Sequence, residues 1–127
     1  MSSATLELRD FISKGTSLKF PLLSWQFGSG RPSGGYGPGS GTGKVSVTEI
    51  TTTRDGDRYS SSLFEAVATG KLISQMRIFQ VFTNDEQVTV KNQIVFTDVM
   101  ISQISSTGAA RPIETITFNF TEYEIRN

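Results

Sequence analysis

The sequence predicts a mainly β domain with one short α-helix, and three observations carry that prediction. Thr, Val, Ile, Phe and Tyr dominate the segments between turn signals, which is a strand composition. The stretch Val88 to Ile104 alternates with a period of two: Val88, Val90, Ile94, Phe96, Met100 and Ile104 take even positions, and Thr89, Lys91, Gln93, Thr97 and Gln103 lie opposite. A single segment, around Ser62 to Gly70, carries helix start and stop signals at both ends.

In chain order, Leu6 to Ile12 reads as a first strand closed by Lys14-Gly15. Leu18 to Phe27 is a second, with Phe20, Leu22, Leu23, Trp25 and Phe27, and Lys44 to Thr53 is a third. The Asp55-Gly56 turn leads to the helix. There Ser62-Leu63-Phe64-Glu65 has the form of a capping box, and Leu63, Phe64, Val67 and Ala68 form an apolar stripe. Gly70 stops it, with Lys71 placed to suit the negative helix end. Ile73 to Phe82 is the fourth strand, with Met76, Ile78 and Phe82 on one face against Phe79 and Val81 on the other. Val88 to Ile104 is too long for one regular strand, so a bulge or break is expected near Thr97-Asp98. Ile113 to Ile125 is the last: Ile116, Phe118 and Phe120 share a face that Tyr123 and Ile125 do not. Either a bulge flips the phase there or both faces are covered, and a neighbouring subunit would explain two-sided strands.

Composition removes several function classes. The 127 residues suffice for one domain, burying roughly two-thirds of the unfolded surface without staples. Without cysteine there are no disulfides or thiolate metal sites. Without histidine the commonest general base and imidazole ligand are missing too. No catalytic residue, cofactor site or metal site is therefore expected. Twelve basic and twelve acidic residues balance, and the basic ones are scattered, which argues against nucleic acid as a partner. Met1 to Asp10 has no basic n-region followed by an apolar run, and no stretch is long enough for a membrane span. The expectation is a protein made in the cytoplasm without a signal peptide, and no membrane insertion.

Eight of the twelve glycines fall between Gly28 and Gly43. Such a stretch reads either as a flexible loop or as an arm that orders against a partner, its glycines allowing close backbone approach and Tyr36 serving as anchor. Gly43-Lys44 does not make a P-loop, because Pro38 stands where the first glycine belongs and Val45 where Ser or Thr does. Asp55 and Asp57 flank a turn glycine without completing a calcium loop, since Tyr59 and Ser61 occupy further ligand positions. Glu122 and Glu124 read as a solvated strand edge or a charged lining rather than an acid/base pair. Asn119-Phe120-Thr121 matches a glycosylation sequon inside a strand and carries little weight.

The order of features resembles a known family. A strand ending Leu22-Leu23-Ser24-Trp25-Gln26-Phe27-Gly28 feeds the glycine-rich stretch, and Gly43-Lys44-Val45-Ser46-Val47 follows. Then come a Leu63-Phe64 helix closed by Thr69-Gly70-Lys71, a long strand ending Val99-Met100-Ile101-Ser102-Gln103-Ile104-Ser105, and Glu114-Thr115-Ile116-Thr117-Phe118-Asn119-Phe120. This is similar to the haemolysin-coregulated protein (Hcp) family, the inner-tube subunit of bacterial type VI secretion systems, over nearly the whole chain. The resemblance implies a compact antiparallel β-barrel of two packed sheets, with the short α-helix on its flank. It implies hexameric rings stacked into a hollow tube, effectors held in the lumen, a spike protein at the tip, a sheath outside, and secretion through the machine. The stretch 28–43 corresponds to an extended arm that reaches a neighbouring subunit or ring. Candidate interface residues are Gly28, Arg31, Gly35, Tyr36, Gly37, Gly41 and Lys44 on the arm, with Phe79, Val81, Tyr123 and Ile125 on two-sided strands. A shorter segment before Trp25 and a chain stopping just past the last strand depart from the family pattern. The alternatives are a tube subunit of a related contractile injection machine or phage-like tail, and a solitary β-barrel that binds a ligand, with Trp25 in its site.

Overall fold

The computed structural model describes residues 2–30, 46–83, 86, 89–108 and 110–126. Eight strands and one helix follow in the order β1 (Ser2–Ser13), β2 (Thr16–Leu22), β3 (Ser24–Gly30), β4 (Ser46–Asp55), α1 (Ser60–Thr69), β5 (Leu72–Thr83), β6 (Thr89–Ser106), β7 (Ile113–Asn119) and β8 (Glu122–Arg126). All pairings are antiparallel and run β2-β1-β5-β6-β7-β4-β3, with β8 also paired to β6. The two ends of that path, β2 and β3, are consecutive in the chain with only Leu23 between them. The sheet therefore rolls up until its ends meet at a seam, although no ladder joins β2 to β3 there. The expected mainly antiparallel, barrel-like fold with one flanking helix is met in this form. The single strand expected over Leu18 to Phe27 is two strands, because the chain must cross the seam at Leu23.

One crease bends the sheet. Core residues along β1 alternate normally as Leu6 and Leu8, but the next is Phe11, three residues on. β5 steps from Ile73 to Met76, and β6 from Phe96 to Val99. The last ladder steps from Phe120 to Tyr123, whose ring packs on Phe120 at 5.9 Å. In a flat strand a three-residue step would put the side chain on the wrong face. Here the paired strands switch together: Ile73 faces Val99 on one side of the crease and Met76 faces Phe96 on the other, in unbroken register. Two non-glycine residues with positive φ lie on this line, Asp10 (56°) and Asp98 (53°). Asp10 holds the bend by accepting from the Gly15 backbone N–H at 2.6 Å.

The break expected near Thr97-Asp98 is thus present, and it turns the even-position face outward at Met100 until a second irregularity between Ile101 and Gln103 returns Ile104 to the core side. Met100 is exposed, and Val99 and Ile101 take its place in the core. The same crease settles the last strand: the phase flips between Phe120 and Tyr123. β8 continues β7 along β6 in the same register, Asn119 opposite Met100 and Glu122 opposite Thr97, after a break held by Thr121. The Thr121 backbone N–H and hydroxyl both donate to the Thr97 carbonyl at 3.1 Å.

The helix begins earlier than its sequence signals. Ser60 opens it, Tyr59 is the N-cap, and no side chain caps it, so Ser62-Leu63-Phe64-Glu65 is interior rather than a capping box. The turn is instead fixed by Asp57, whose carboxylate accepts from the Tyr59 N–H at 2.9 Å. Leu63 and Ala66 are the buried residues, and Phe64 and Ala68 face out. The stop is as expected: Gly70 is left-handed (φ 65°), its N–H reaches the Val67 carbonyl and that of Lys71 the Ala66 carbonyl. Lys71, however, serves the sheet, donating to the Phe11 carbonyl beside the Phe11 ring.

Candidate assembly surface

Among the described residues, three strands have one unpaired edge each: β2, β3 and β8. An unpaired edge presents backbone donors and acceptors to a further strand. β8 is the most open, since all five of its residues are exposed. Tyr123 and Ile125 stand opposite Phe96 and Ile94, which line the core, yet they are 45% and 60% exposed. The core-lining face therefore runs out past the crease into solvent. Tyr123 is anchored on its inner side by Phe27 (5.6 Å) and Phe120, an aromatic group that continues through Phe96 and Trp25.

Phe79 and Val81 lie on β5 with their side chains turned away from the core, half-buried, between Thr5 and Gln93 and between Ser3 and Lys91 respectively. In the same row, the Gln93 side-chain amide nitrogen is buried with no hydrogen-bond partner. Gly28 is on β3 opposite Glu49, at the bulge before Ser29. Arg31, Gly35, Tyr36, Gly37, Gly41 and Lys44, with the arm from residue 31 onward, lie outside the described residues. The structure brings Tyr123 and Ile125 together on one edge. It places Phe79 and Val81 on the opposite face of the same sheet.

Sequence reasoning missed other exposed apolar positions. Leu23 and Phe82 flank a cleft that also takes in Ala4, Leu22, Trp25 and Gln80, where the Trp25 indole N–H donates to Gln80 Oε1 at 2.8 Å. Leu72 and Met100 are exposed partners across β5 and β6. A phase switch at Asp98, had it been read, would have turned Met100 outward.

On β8 one of the two glutamates is paired. The Arg126 guanidinium donates to Glu124 at 3.1 Å and holds that carboxyl below its ordinary range, while Arg126 is itself raised. Among the described residues no group of three or more acidic, His or Cys side chains could hold a metal ion. No helix there is long and apolar enough to cross a membrane.

The family described as type VI secretion system effector, Hcp, matches residues 10–126. No curated protein matches the chain. Of solved structures, Hcp1 from Salmonella typhimurium is similar at 24% identity and a TM-score of 0.71, over 98% of this chain and 85% of that one. The secreted protein Hcp3 from Pseudomonas aeruginosa is similar at 11% identity and 0.71, over 100% and 91%. The baseplate of the anti-feeding prophage contains a chain similar at 7% identity and 0.57, over 99% and 92%. A match covering nearly all of the creased, seamed β fold makes this chain a member of the Hcp family, a family of structural tube proteins of type VI secretion rather than of enzymes.

Proposed function

We propose that the chain is the inner-tube subunit of a type VI secretion system, closing into a hexameric ring whose copies stack into a hollow tube. In this reading effectors travel in the lumen, a spike protein caps the tip, a sheath surrounds the tube, and the subunit leaves the cell through the machine. β8 carries the proposal: it is an open strand edge on which Tyr123 and Ile125 extend the core face into solvent. Phe79, Val81 and the unpartnered Gln93 amide support a second contact on the opposite face. Ring closure needs two different flanks on each subunit, and the β8 edge and the outer face at Phe79 and Val81 supply distinct ones. The arm at 28–43 reaching a neighbour belongs to the same proposal.

Negative-stain imaging with native mass measurement of the full chain tests it. Six-membered rings are expected. A strict monomer at high concentration overturns it. Y123K/I125K is expected to keep the β-sheet circular dichroism and lose the rings.

A further inference from the structure

Arg54 on β4 is only 1% exposed and touches three other parts of the fold. Its Nη1 donates to Glu114 Oε1 at 2.5 Å, from directly across the β4–β7 ladder, and Glu114 is 2% exposed. Its Nη2 is ion-paired with Asp57 Oδ1 at 2.5 Å, the same oxygen that fixes the Tyr59 N–H at the start of α1. Its Cζ lies 4.3 Å from the centroid of the Phe20 ring on β2. Its Nε is buried with no acceptor. One cation thus joins β4 and β7 to β2, across the seam that lacks a ladder, and to the loop that leads into α1. The backbone contact at the seam, Leu23 N–H to the Thr53 carbonyl at 2.8 Å, is made by the residue next to Arg54.

A buried guanidinium is tolerated while its carboxylates are charged; neutralising one leaves the buried cation with a single carboxylate and weaker compensation. The charged groups around it are Glu114 from β7, Asp57 and Arg58 from the loop before α1, and the exposed Arg111–Asp55 pair beside it. Burial pushes the Asp57 carboxyl up. The contact from Arg54, the Tyr59 N–H and the charges of Arg54 and Arg58 outweigh that and hold it below its ordinary value. Its contribution is therefore complete above the ordinary carboxylate range and is lost as pH falls through the lowered value.

We propose that Arg54, Glu114 and Asp57 form an acid-sensitive latch on the barrel seam. A proton taken from solvent by Asp57 weakens its hold on Arg54, parts β2 from β4 and loosens the start of α1, while the β1–β5–β6 ladders hold.

The one tryptophan of the chain is a built-in reporter, because Trp25 lies two residues past Leu23 and bonds across to Gln80. The full chain is titrated from about pH 7 to about pH 2, through and below the ordinary carboxylate range. Trp25 emission and far-ultraviolet circular dichroism are followed together. The expected result is a red shift of Trp25 at a higher pH than the loss of strand signal, with backbone hydrogen exchange rising first at residues 22–24 and 56–60. The exposed variant Asp57→Asn, which cannot take that proton, is expected to show the red-shifted Trp25 emission already at neutral pH and no early step. R54M/E114L, which swaps the pair for apolar groups of similar size, is expected to abolish it. Coincident fluorescence and dichroism transitions in the unmodified chain overturn the latch, as does an early step that persists unchanged in R54M/E114L or in Asp57→Asn.

Discussion

Arg54 and Glu114 show how unevenly single side chains weigh in this molecule. Truncating Glu114 to alanine removes the buried partner of Arg54 and leaves only the half-exposed Asp57, and the expected loss is about 3–5 kcal/mol in a urea unfolding experiment. R54M/E114L should cost far less, because the desolvation burden of both charges goes with them. Gly70 is a smaller case. A Cβ there would meet only Met100 Cε at 3.7 Å, an ordinary contact, so the cost of Gly70→Ala is that of a left-handed backbone, about 1–2 kcal/mol by the same measurement. The sequence announced Gly70 openly, since a glycine after a helical stripe has few other uses. It hid Arg54 and Glu114, because charged residues 60 positions apart read by default as solvated surface. Lys71 was legible as a helix-end cation, but its contact with Phe11 depends on tertiary packing that no local pattern records.

At the scale of elements the crease decides what could be read. Strand composition and alternation located β1, β4, β5 and β6 to within a few residues, because period two survives wherever a strand runs straight. It failed where Asp10 and Asp98 turn the backbone to positive φ and the paired strands step by three. Length alone gave away the break near Asp98. Its effect on Met100 required knowing that the register continues through it. Asp98→Val is expected to lower stability by about 1–2 kcal/mol, since a β-branched residue resists φ near 53°, whereas Asp98→Gly should avoid that penalty. Thermal unfolding of the two variants side by side checks this. The last strand was read as one and is nearly so: β7 and β8 share a single ladder on β6, and only the Thr121 break and the loss of β4 as a partner divide them.

For the whole molecule, the candidate surface was only partly legible, because outward-facing apolar residues such as Phe79 and Ile125 betray themselves by breaking alternation, whereas Leu23 and Phe82 follow an apolar run and look like core. Gly30 pairs with Ser46, so deleting residues 31–42 leaves a three-residue connection of a length that β-hairpins accept. The deletion is expected to keep the circular dichroism and melting behaviour of the parent while weakening ring formation by native mass measurement. Unfolding of the deletion variant would instead place the arm in the core. The passage from β2 to β3 through one residue has a consequence for shape. A hoop whose two ends share one residue owes its greatest girth to that residue, and the covalent reach of Leu23 sets the limit within which the seam contacts act. Splicing a few glycines in beside Leu23 should let the wall spread wider without cutting any ladder, and small-angle scattering would register the broader particle.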